Sequence, residues 1–220
     1  MEQDNVWAVI PAYNEEENII NVIKETKKYL SNIVVVDDGS KDRTYEVAKQ
    51  EGIIVLKHII NLGKGAALKT GCDFTLKKEA NKIIVLDSDN QHEPSEIPNF
   101  LNELKNKEVI LGYRKRNNEM PFILKLGNFI INRITKLLYN VELHDTQCGY
   151  RAFTSDAYKK IRWKASDYSM ESEMIANIGK NKLSYTQIPI KTIYVDRYKG
   201  TTIIDGIKIV LNMIWWKITK

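Results

Sequence analysis

Short apolar runs alternate with helix-like segments along the first half of the chain, and this order restricts the fold more than any other feature. Residues 6–12, 32–40, 53–58 and 82–87 are rich in Val and Ile, and the segments between them carry apolar residues at helical spacing. Such alternation is typical of βαβ units. We therefore predict an α/β fold with a mainly parallel sheet that is covered by helices on both faces.

Polar residues follow three of the predicted strands. The sequences PAYNE (residues 11–15), DD (37–38) and DSD (87–89) each stand where an apolar run ends. In open α/β sheets, ligands bind beyond the carboxyl ends of the strands. We therefore expect these residues to converge on one cleft.

The helix predicted over residues 121–141 has two interpretations. One side of this helix is apolar, and Lys125, Asn132, Arg133 and Lys136 are interspersed. The apolar side can pack on the core, or the helix can form a basic amphipathic surface for lipid. The apolar residues are Phe122, Leu126, Phe129, Ile130, Ile134, Leu137, Leu138 and Val141.

The C-terminal run also suits a membrane interface. Trp215 and Trp216 stand beside Lys217 and Lys220, a combination that is typical of an interfacial anchor. We find no linker or repeat before it. We therefore predict one domain over residues 1–200 and an amphipathic, membrane-interfacial helix over residues 201–220.

The composition disfavours several other classes of protein. The chain has 220 residues, 43% of them hydrophobic, which is enough for a core. Its net charge of +5 is scattered and forms no long basic block, so we do not expect nucleic-acid binding. We find no signal peptide and no uncharged apolar run of about 18 residues, and the two Cys are far apart. A reducing, cytoplasmic setting fits best, and contact with a membrane surface stays open.

Asp87 and Asp89 have a spacing that allows both to bind one divalent cation. Two carboxylates beyond a strand, completed by substrate phosphate and water, suit Mg²⁺ better than a cage made only of protein ligands. Gln91 and His92 add oxygen and nitrogen ligands. By itself the pair is a weak signal, because short Asp motifs also cap turns.

Asp37, Asp38 and Lys64 also have alternatives. DDGSKDRT (residues 37–44) is a good turn and N-cap sequence, yet one of its adjacent acids can accept hydrogen bonds from a base or a ribose. NLGKGAAL (residues 61–68) lacks the spacing of a P-loop. Its glycines nevertheless allow close approach of the backbone, and Lys64 can reach an anion.

Together these motifs resemble glycosyltransferase family 2, whose fold is called GT-A. Within the family the resemblance is closest to the dolichyl- or polyprenyl-phosphate sugar synthases, such as dolichyl-phosphate mannose synthase. It covers most of residues 6–155 and implies a GT-A domain around a nucleotide-binding sheet. The matching motifs, in the family's order, are IPAYNEEENI, VVVDDGSKDRT, NLGKGAALKTG, VLDSDNQHEPSEIP, LGYR and DTQCGYRAF.

The resemblance implies a nucleotide-sugar site in which Asp38 reads the base and Asp87 lies by the ribose and diphosphate. It also implies a bound Mg²⁺ or Mn²⁺, with Asp89 as the main ligand and Asp87 and Gln91 beside it. The residues implied to bind the nucleotide sugar are Pro11, Tyr13, Glu15, Asp38, Lys64, Asp87, Ser88 and Asp89.

On the acceptor side, the resemblance implies that Arg114 faces the phosphates of the donor or the acceptor. Arg197 would lie in a loop that closes over the site. That loop ends in Thr202-Ile203 where the family has Ser-Lys, and Leu124, next to Lys125, replaces a basic residue of the acceptor-facing helix. The Q-x-x-R-W signature of processive polysaccharide synthases is absent, which disfavours polymer synthesis.

The implied reaction is one inverting displacement at the anomeric carbon of the sugar, with a nucleoside diphosphate as the leaving group. A lipid phosphate is already anionic and needs no general base, whereas a hydroxyl acceptor needs a carboxylate to remove its proton. Asp145, Glu171 and Glu173 are the candidates for that base. Glu171 and Glu173 are equally typical of an exposed helix face, and Asp145 of a loop cap.

Our leading hypothesis is transfer of one hexose from a UDP- or GDP-sugar to a polyprenyl or dolichyl phosphate, at the cytosolic face of a membrane. Asp38 can pair with uracil or with guanine, and we lean only slightly toward UDP and glucose. The alternatives are a soluble transferase that acts on a sugar or protein hydroxyl, and a nucleotide-sugar-binding module without catalysis. No oligomeric state is predicted.

Overall fold

The computed structural model describes residues 5–114, 122–167, 169–191 and 203–219. Seven strands form one sheet in the order β3-β2-β1-β4-β6-β5-β7. Strand β6 runs antiparallel to both of its neighbours, and all other pairs are parallel. The strands are β1 (Val6–Ala12), β2 (Asn32–Asp37), β3 (Ile54–Lys57), β4 (Lys82–Val85), β5 (Val109–Arg114), β6 (Arg151–Thr154) and β7 (Tyr185–Ile190).

Helices pack on both faces of the sheet, which separates two buried apolar clusters. Neighbouring residues of one strand, such as Val9 and Ile10, belong to different clusters because side chains alternate along a strand. The predicted α/β architecture is therefore confirmed. The helices of the described residues are α1 (Ile19–Lys27), α2 (Thr44–Gln50), α3 (Lys64–Lys77), α4 (Ile97–Glu103), α5 (Phe122–Tyr139), α6 (Ser155–Ile161), α7 (Ser169–Lys180) and α8 (Ile203–Thr219), with a 3-10 turn at Pro94–Glu96.

The register of β1 brings the acidic motifs to one edge of the sheet. Strand β1 pairs with β2 as far as Ala12 opposite Asp37, and with β4 as far as Val9 opposite Val85. All three strands are parallel, so Asp38 and Asp87 both follow a carboxyl end on the same side. The expected convergence of these motifs is confirmed at the level of the backbone.

Strand β6 is not predicted by the apolar-run criterion, because it has four residues and begins with a charged side chain. Arg151 is nevertheless only 2% exposed. Its guanidinium donates to the carbonyl oxygens of Thr146 (2.8 Å), Cys148 (2.9 Å) and Glu171 (3.1 Å). These bonds compensate the burial of the charge and hold residues 146–148 against α7.

Helix α5 combines the two interpretations of its sequence. Ile131 and Tyr139 are buried, whereas Phe129, Ile130 and Leu137 are exposed by 55%, 44% and 83%. The helix therefore packs on the core along one stripe and leaves a second apolar stripe uncovered. The side chains of Phe122 and Leu126 lie outside the described residues.

Helix α8 packs against α5 and α7. The Tyr139 hydroxyl donates to the carbonyl oxygen of Met213 (2.6 Å), and Lys180 Nζ donates to that of Trp216 (2.7 Å). None of the helices in the described part of the chain combines the length and the apolar content needed to span a bilayer. The division of the chain at residue 200 stays a prediction.

Candidate active site

An ion pair beyond β4 forms the centre of the candidate site. Lys64 Nζ lies 2.9 Å from Asp87 Oδ1 and 3.2 Å from Glu171 Oε1. Burial alone would raise the pKa of Asp87, but the charges of Lys64, His92 and Arg114 lower it to about 2. Burial likewise opposes the charge of Lys64, and the two carboxylates raise its pKa above the ordinary value. Asp87 and Lys64 are therefore both ionised near neutral pH.

Asp38 fixes the loop that carries Lys64. Its carboxylate accepts hydrogen bonds from the backbone N–H groups of Leu62 (3.0 Å) and Gly63 (2.8 Å), and it lies 2.6 Å from His58 Nδ1. Gly63 has φ of +98°, a conformation that favours glycine, and α3 begins at the next residue. The ammonium group thus has a defined position at the start of a helix.

The absence of a side chain at Gly149 makes room for the ion pair of Asp87 and Lys64. A Cβ atom at this position would lie 2.8 Å from Asp87 Oδ2 and 2.9 Å from Lys64 Nζ. Both distances are shorter than a carbon atom tolerates. The backbone of the DTQCGYRAF motif can therefore approach Asp87 and Lys64 this closely only because residue 149 is a glycine.

Asp89 stands beside this pair, and no ion pair of it is found among the described residues. Its Oδ1 accepts from the backbone N–H of Gln91 (3.0 Å). Burial, reinforced by the negative charges of Asp87 and Glu15, raises the pKa of Asp89 to about 6. A cation held between Asp87 and Asp89 would relieve this unfavourable electrostatics.

The donor set fits a divalent cation that is shared with a substrate. Among the described residues, no three His, Cys, Asp or Glu side chains are grouped to enclose a metal ion. Asp87, Asp89 and the Gln91 amide supply oxygen ligands, and Mg²⁺ commonly combines a few carboxylates with phosphate and water. The residues therefore match a metal–diphosphate site better than a structural metal site.

His92 forms a hydrogen bond with the backbone of the acidic segment. Its Nδ1 accepts a hydrogen bond from the backbone N–H of Asp87 (3.2 Å), and its ring stacks on Tyr150 at 5.1 Å between centroids. Burial lowers the pKa of His92 to about 4, so the ring is neutral at physiological pH. The neutral ring acts as a hydrogen-bond acceptor and positions Asp87.

Arg114 extends the site toward β5. Its guanidinium forms a bidentate pair with Asp145, with Nε 2.7 Å from Oδ2 and an Nη atom 3.2 Å from Oδ1. The Asp145 carboxylate raises the pKa of Arg114 despite the burial of the guanidinium, which alone would lower it. Asp145 Oδ1 also accepts from the backbone N–H of Gln147 (3.1 Å). The strand end therefore presents a positive charge whose orientation is fixed.

Residues 7–162 match the family profile described as Glycosyl transferase family 2. The chain belongs to glycosyltransferase family 2. The expected family is therefore confirmed, and with it the enzyme class, a glycosyltransferase.

Two relatives and one solved structure are similar to this chain. An uncharacterized protein of Methanocaldococcus jannaschii is 40% identical over 98% of this chain and 93% of its own length. The UDP-N-acetylglucosamine–dolichyl-phosphate N-acetylglucosaminyltransferase of Methanococcus voltae is 34% identical over 98% of this chain and 97% of its own length. The glucosyl-3-phosphoglycerate synthase of Mycobacterium tuberculosis, solved with Mg²⁺ and UDP, superimposes with a TM-score of 0.77 at 17% identity, over 97% of this chain and 79% of that one. This likeness confirms the expected GT-A fold.

The family's nucleotide-side positions lie along the same edge of the sheet. Pro11 is buried within β1, and Tyr13, just beyond the strand, is 40% exposed. Glu15 is buried and accepts from the Asn18 amide (2.7 Å). Ser88 is buried between the two acids of the DSD motif. The nucleotide-binding roles of these residues stay predictions, as does base reading by Asp38, and Arg197 lies outside the described residues.

Two glutamates differ from their expected placement. Glu171 and Glu173 are each only 2% exposed, so the interpretation of an exposed helix face is wrong for both. Glu171 faces Lys64, and the Glu173 carboxylate accepts from the backbone N–H groups of Lys164 and Ala165, both at 2.9 Å. Their burial arises from tertiary contacts between α7 and the loops around α3, which helical spacing alone does not reveal.

Sequence reasoning assigned no role to Gly149 and Gln147. Gln147 Nε2 donates to Ser172 Oγ (3.2 Å), while its Oε1 is buried with no hydrogen-bond partner among the described residues. Both residues lie in the quoted DTQCGYRAF motif, which was the available signal. The close approach of Gly149 to Asp87 requires the three-dimensional fold to be seen.

Proposed function

We propose that this glycosyltransferase transfers one sugar from a UDP-sugar to a polyprenyl phosphate in a single inverting step. The relative from Methanococcus voltae supports this proposal, because it is named as a transferase of N-acetylglucosamine from UDP-N-acetylglucosamine to dolichyl phosphate. Its similarity extends over almost the whole of both chains. The first donor to test is therefore UDP-N-acetylglucosamine, with UDP-glucose next.

On the donor side, the residues around Asp87 and Lys64 receive the diphosphate. Asp87, Asp89 and Gln91 would hold Mg²⁺ or Mn²⁺, which would neutralise charge on the leaving diphosphate. Lys64 is oriented by Asp87 and Glu171 before substrate arrives, so little reorganisation is needed. Preorganised positive charge near a developing negative charge is usually the largest contribution to catalysis.

The observation that carries the choice of acceptor is the state of the three candidate bases. Asp145 is paired with Arg114, Glu171 with Lys64, and Glu173 with two backbone N–H groups. A carboxylate whose oxygens are already engaged by such donors is poorly placed to take the proton of a hydroxyl acceptor. An acceptor whose nucleophilic oxygen is already ionised needs none, and Arg114 offers it a positive charge. A phosphate acceptor therefore fits this site better than a hydroxyl.

We place the enzyme at the cytosolic face of a membrane, and the apolar surface of α5 and α8 supports the membrane contact. Large side chains on both helices are exposed beside basic residues, as in peripheral interfacial helices. They are Phe129, Ile130, Leu137, Leu211, Ile214, Trp215 and Ile218. Trp215 is 63% exposed and stands next to Lys217.

A panel of radiolabelled donors tests the proposal. UDP-N-acetylglucosamine, UDP-glucose and GDP-mannose are each incubated with a short polyprenyl phosphate and Mg²⁺, and label is counted in the organic phase. We expect label from a UDP-sugar. Label from GDP-mannose alone would contradict the donor class, and no label from any donor would contradict the lipid acceptor.

The variant Asp89→Ala tests the metal assignment in the same assay. It should abolish transfer while the thermal unfolding temperature is preserved. Asp156→Ala removes an acid whose side chain is 83% exposed and serves as the matched control, with full activity expected. Full activity of folded Asp89→Ala would refute the assigned metal ligands.

A further inference from the structure

A basic cavity lies beside α5, next to the candidate active site. Its volume is about 360 Å³, and it is enclosed by the end of β5, one side of α5 and the segment 142–144. Arg114 borders both this cavity and the cluster around Asp87. The other basic residues in its wall are Arg133, Lys136 and His144.

The wall of the cavity is fixed by contacts on both sides. The backbone N–H of His144 donates to Gln187 Oε1 (2.7 Å), and its carbonyl oxygen accepts from Asn132 Nδ2 (3.0 Å). The His144 ring packs on Tyr113 at 4.8 Å between centroids. The cavity is therefore built from residues whose positions are determined by β5, β7 and α5 together.

The charges of the wall leave room for an anion. Arg114 is paired with Asp145, and Lys136 Nζ lies 2.7 Å from Glu142 Oε2. Both partners of the second pair are largely exposed, and exposed pairs of this kind are weak. Arg133 is exposed, no ion pair of it is found among the described residues, and the Glu142 carboxylate is a negative charge near both Arg133 and Lys136. An anion can therefore take Arg133 as a partner and replace Glu142 at Lys136.

An apolar stripe adjoins these cations. Phe129, Arg133 and Lys136 follow one line along α5, and Ile130 and Leu137 lie next to it, exposed by 44% and 83%. The apolar stripe adds no binding energy for a free phosphate ion. A lipid is stabilised by both features, because its acyl chains contact the apolar stripe while its phosphate contacts the cations.

We propose that this cavity binds the phosphate group of an anionic membrane phospholipid, through Arg133 and Lys136, and thereby orients the enzyme on the bilayer. In this proposal the phosphate of the phospholipid meets Arg133 and Lys136, and the phosphate of the reacting acceptor meets Arg114. The inference rests on the proposed function only in placing α5 at a membrane. It is tested without donor or acceptor, so its failure and the failure of the proposed transfer are separable.

Flotation with phosphatidylcholine vesicles, with and without phosphatidylglycerol, measures the binding. Each cation near an anionic surface changes affinity about fivefold, so Arg133→Gln with Lys136→Gln should weaken binding to the anionic vesicles roughly 20-fold to 30-fold. Glu142→Gln frees Lys136 and should strengthen binding about fivefold. Neither variant should change binding to neutral vesicles.

The double variant Lys105→Gln with Lys107→Gln is the matched control. It removes the same charge from exposed positions that precede the N-terminal end of β5, whereas Arg114 is at the C-terminal end. Electrostatic attraction to the anionic surface falls off within a Debye length, so the affinity should stay within about twofold of wild type. Equal losses in the two double variants, or no gain from Glu142→Gln, would overturn the site. Calorimetry with glycerol phosphate should give no Arg133-dependent binding at millimolar concentration, and such binding would assign the cavity to a soluble phosphate instead.

Discussion

The variant Gly149→Ala should affect sugar transfer much more than it affects the stability of the fold. A methyl group at this position would lie 2.8 Å and 2.9 Å from the two Asp87 carboxylate oxygens and 2.9 Å from Lys64 Nζ. To reach an ordinary van der Waals distance, these atoms must retreat by about 0.6 Å. Asp87 and Lys64 belong to one ion pair of 2.9 Å, so the methyl group forces its members apart or aside.

The expected cost differs between stability and catalysis. Displacing two side-chain ends should lower the free energy of unfolding by about 1–2 kcal/mol, the lower part of the range for overpacking. A displacement of about 0.6 Å in a group that we propose stabilises the leaving diphosphate should lower kcat/KM roughly 10-fold to 100-fold. Urea unfolding measures the first effect, and sugar transfer with Mg²⁺ measures the second.

Gly52→Ala provides the matched control. Gly52 has φ of +68°, and a Cβ there would meet no atom within 4 Å. Alanine at this position should cost about 1 kcal/mol of backbone strain and leave transfer unchanged. Our reasoning is refuted if folded Gly149→Ala retains wild-type kcat/KM, or if the two variants lose activity equally.

Three further predictions concern single side chains. Burial alone would raise the pKa of Asp73, but hydrogen bonds from Arg162 and Tyr158 lower it. The ionised carboxylate therefore stabilises the fold at pH values above its ordinary pKa, and this contribution disappears as the pH falls below about 4. Wild type should lose more stability between pH 6 and pH 3 than Asp73→Asn, and equal losses of the two proteins in urea unfolding would contradict this. Arg151→Met leaves three buried carbonyl groups without their donor and should cost about 3 kcal/mol or more in urea unfolding, with a loss below about 1 kcal/mol as the contrary result. Gln147→Met removes an amide whose Oε1 has no hydrogen-bond partner among the described residues, so the free energy of unfolding should change by less than about 1 kcal/mol. Transfer should fall roughly tenfold, and unchanged transfer would exclude Gln147 from substrate contact.

The sheet and the position of the cleft were predictable because they depend on local signals. Val34, Val35 and Val36 are β-branched and buried, and Asp37 and Asp38 follow them directly, so the strand and its functional end are adjacent in sequence. Parallel pairing then places every such end on one edge. The resemblance to family 2 was carried by the same segments.

The partners of the site residues were not predictable, because they come from distant parts of the chain. Lys64 meets Glu171 across 107 positions, and Arg114 meets Asp145 across 31. Helical spacing gave Glu171 and Glu173 an equally good exposed interpretation, and only the packing of α7 against α3 decides between them. In the same way, the short strand β6 begins with Arg151, whose burial depends on carbonyl partners outside the strand.

We propose that the site transfers sugar from a UDP-sugar to an acceptor that is already anionic. Transfer of label from UDP-N-acetylglucosamine is therefore compared between a polyprenyl phosphate and the corresponding polyprenol, under the same conditions and with Mg²⁺. We expect a lipid-linked product only from the phosphate, because Asp145 and Glu171 are held by Arg114 and Lys64 and do not act as bases. Equal transfer to the polyprenol would contradict the account.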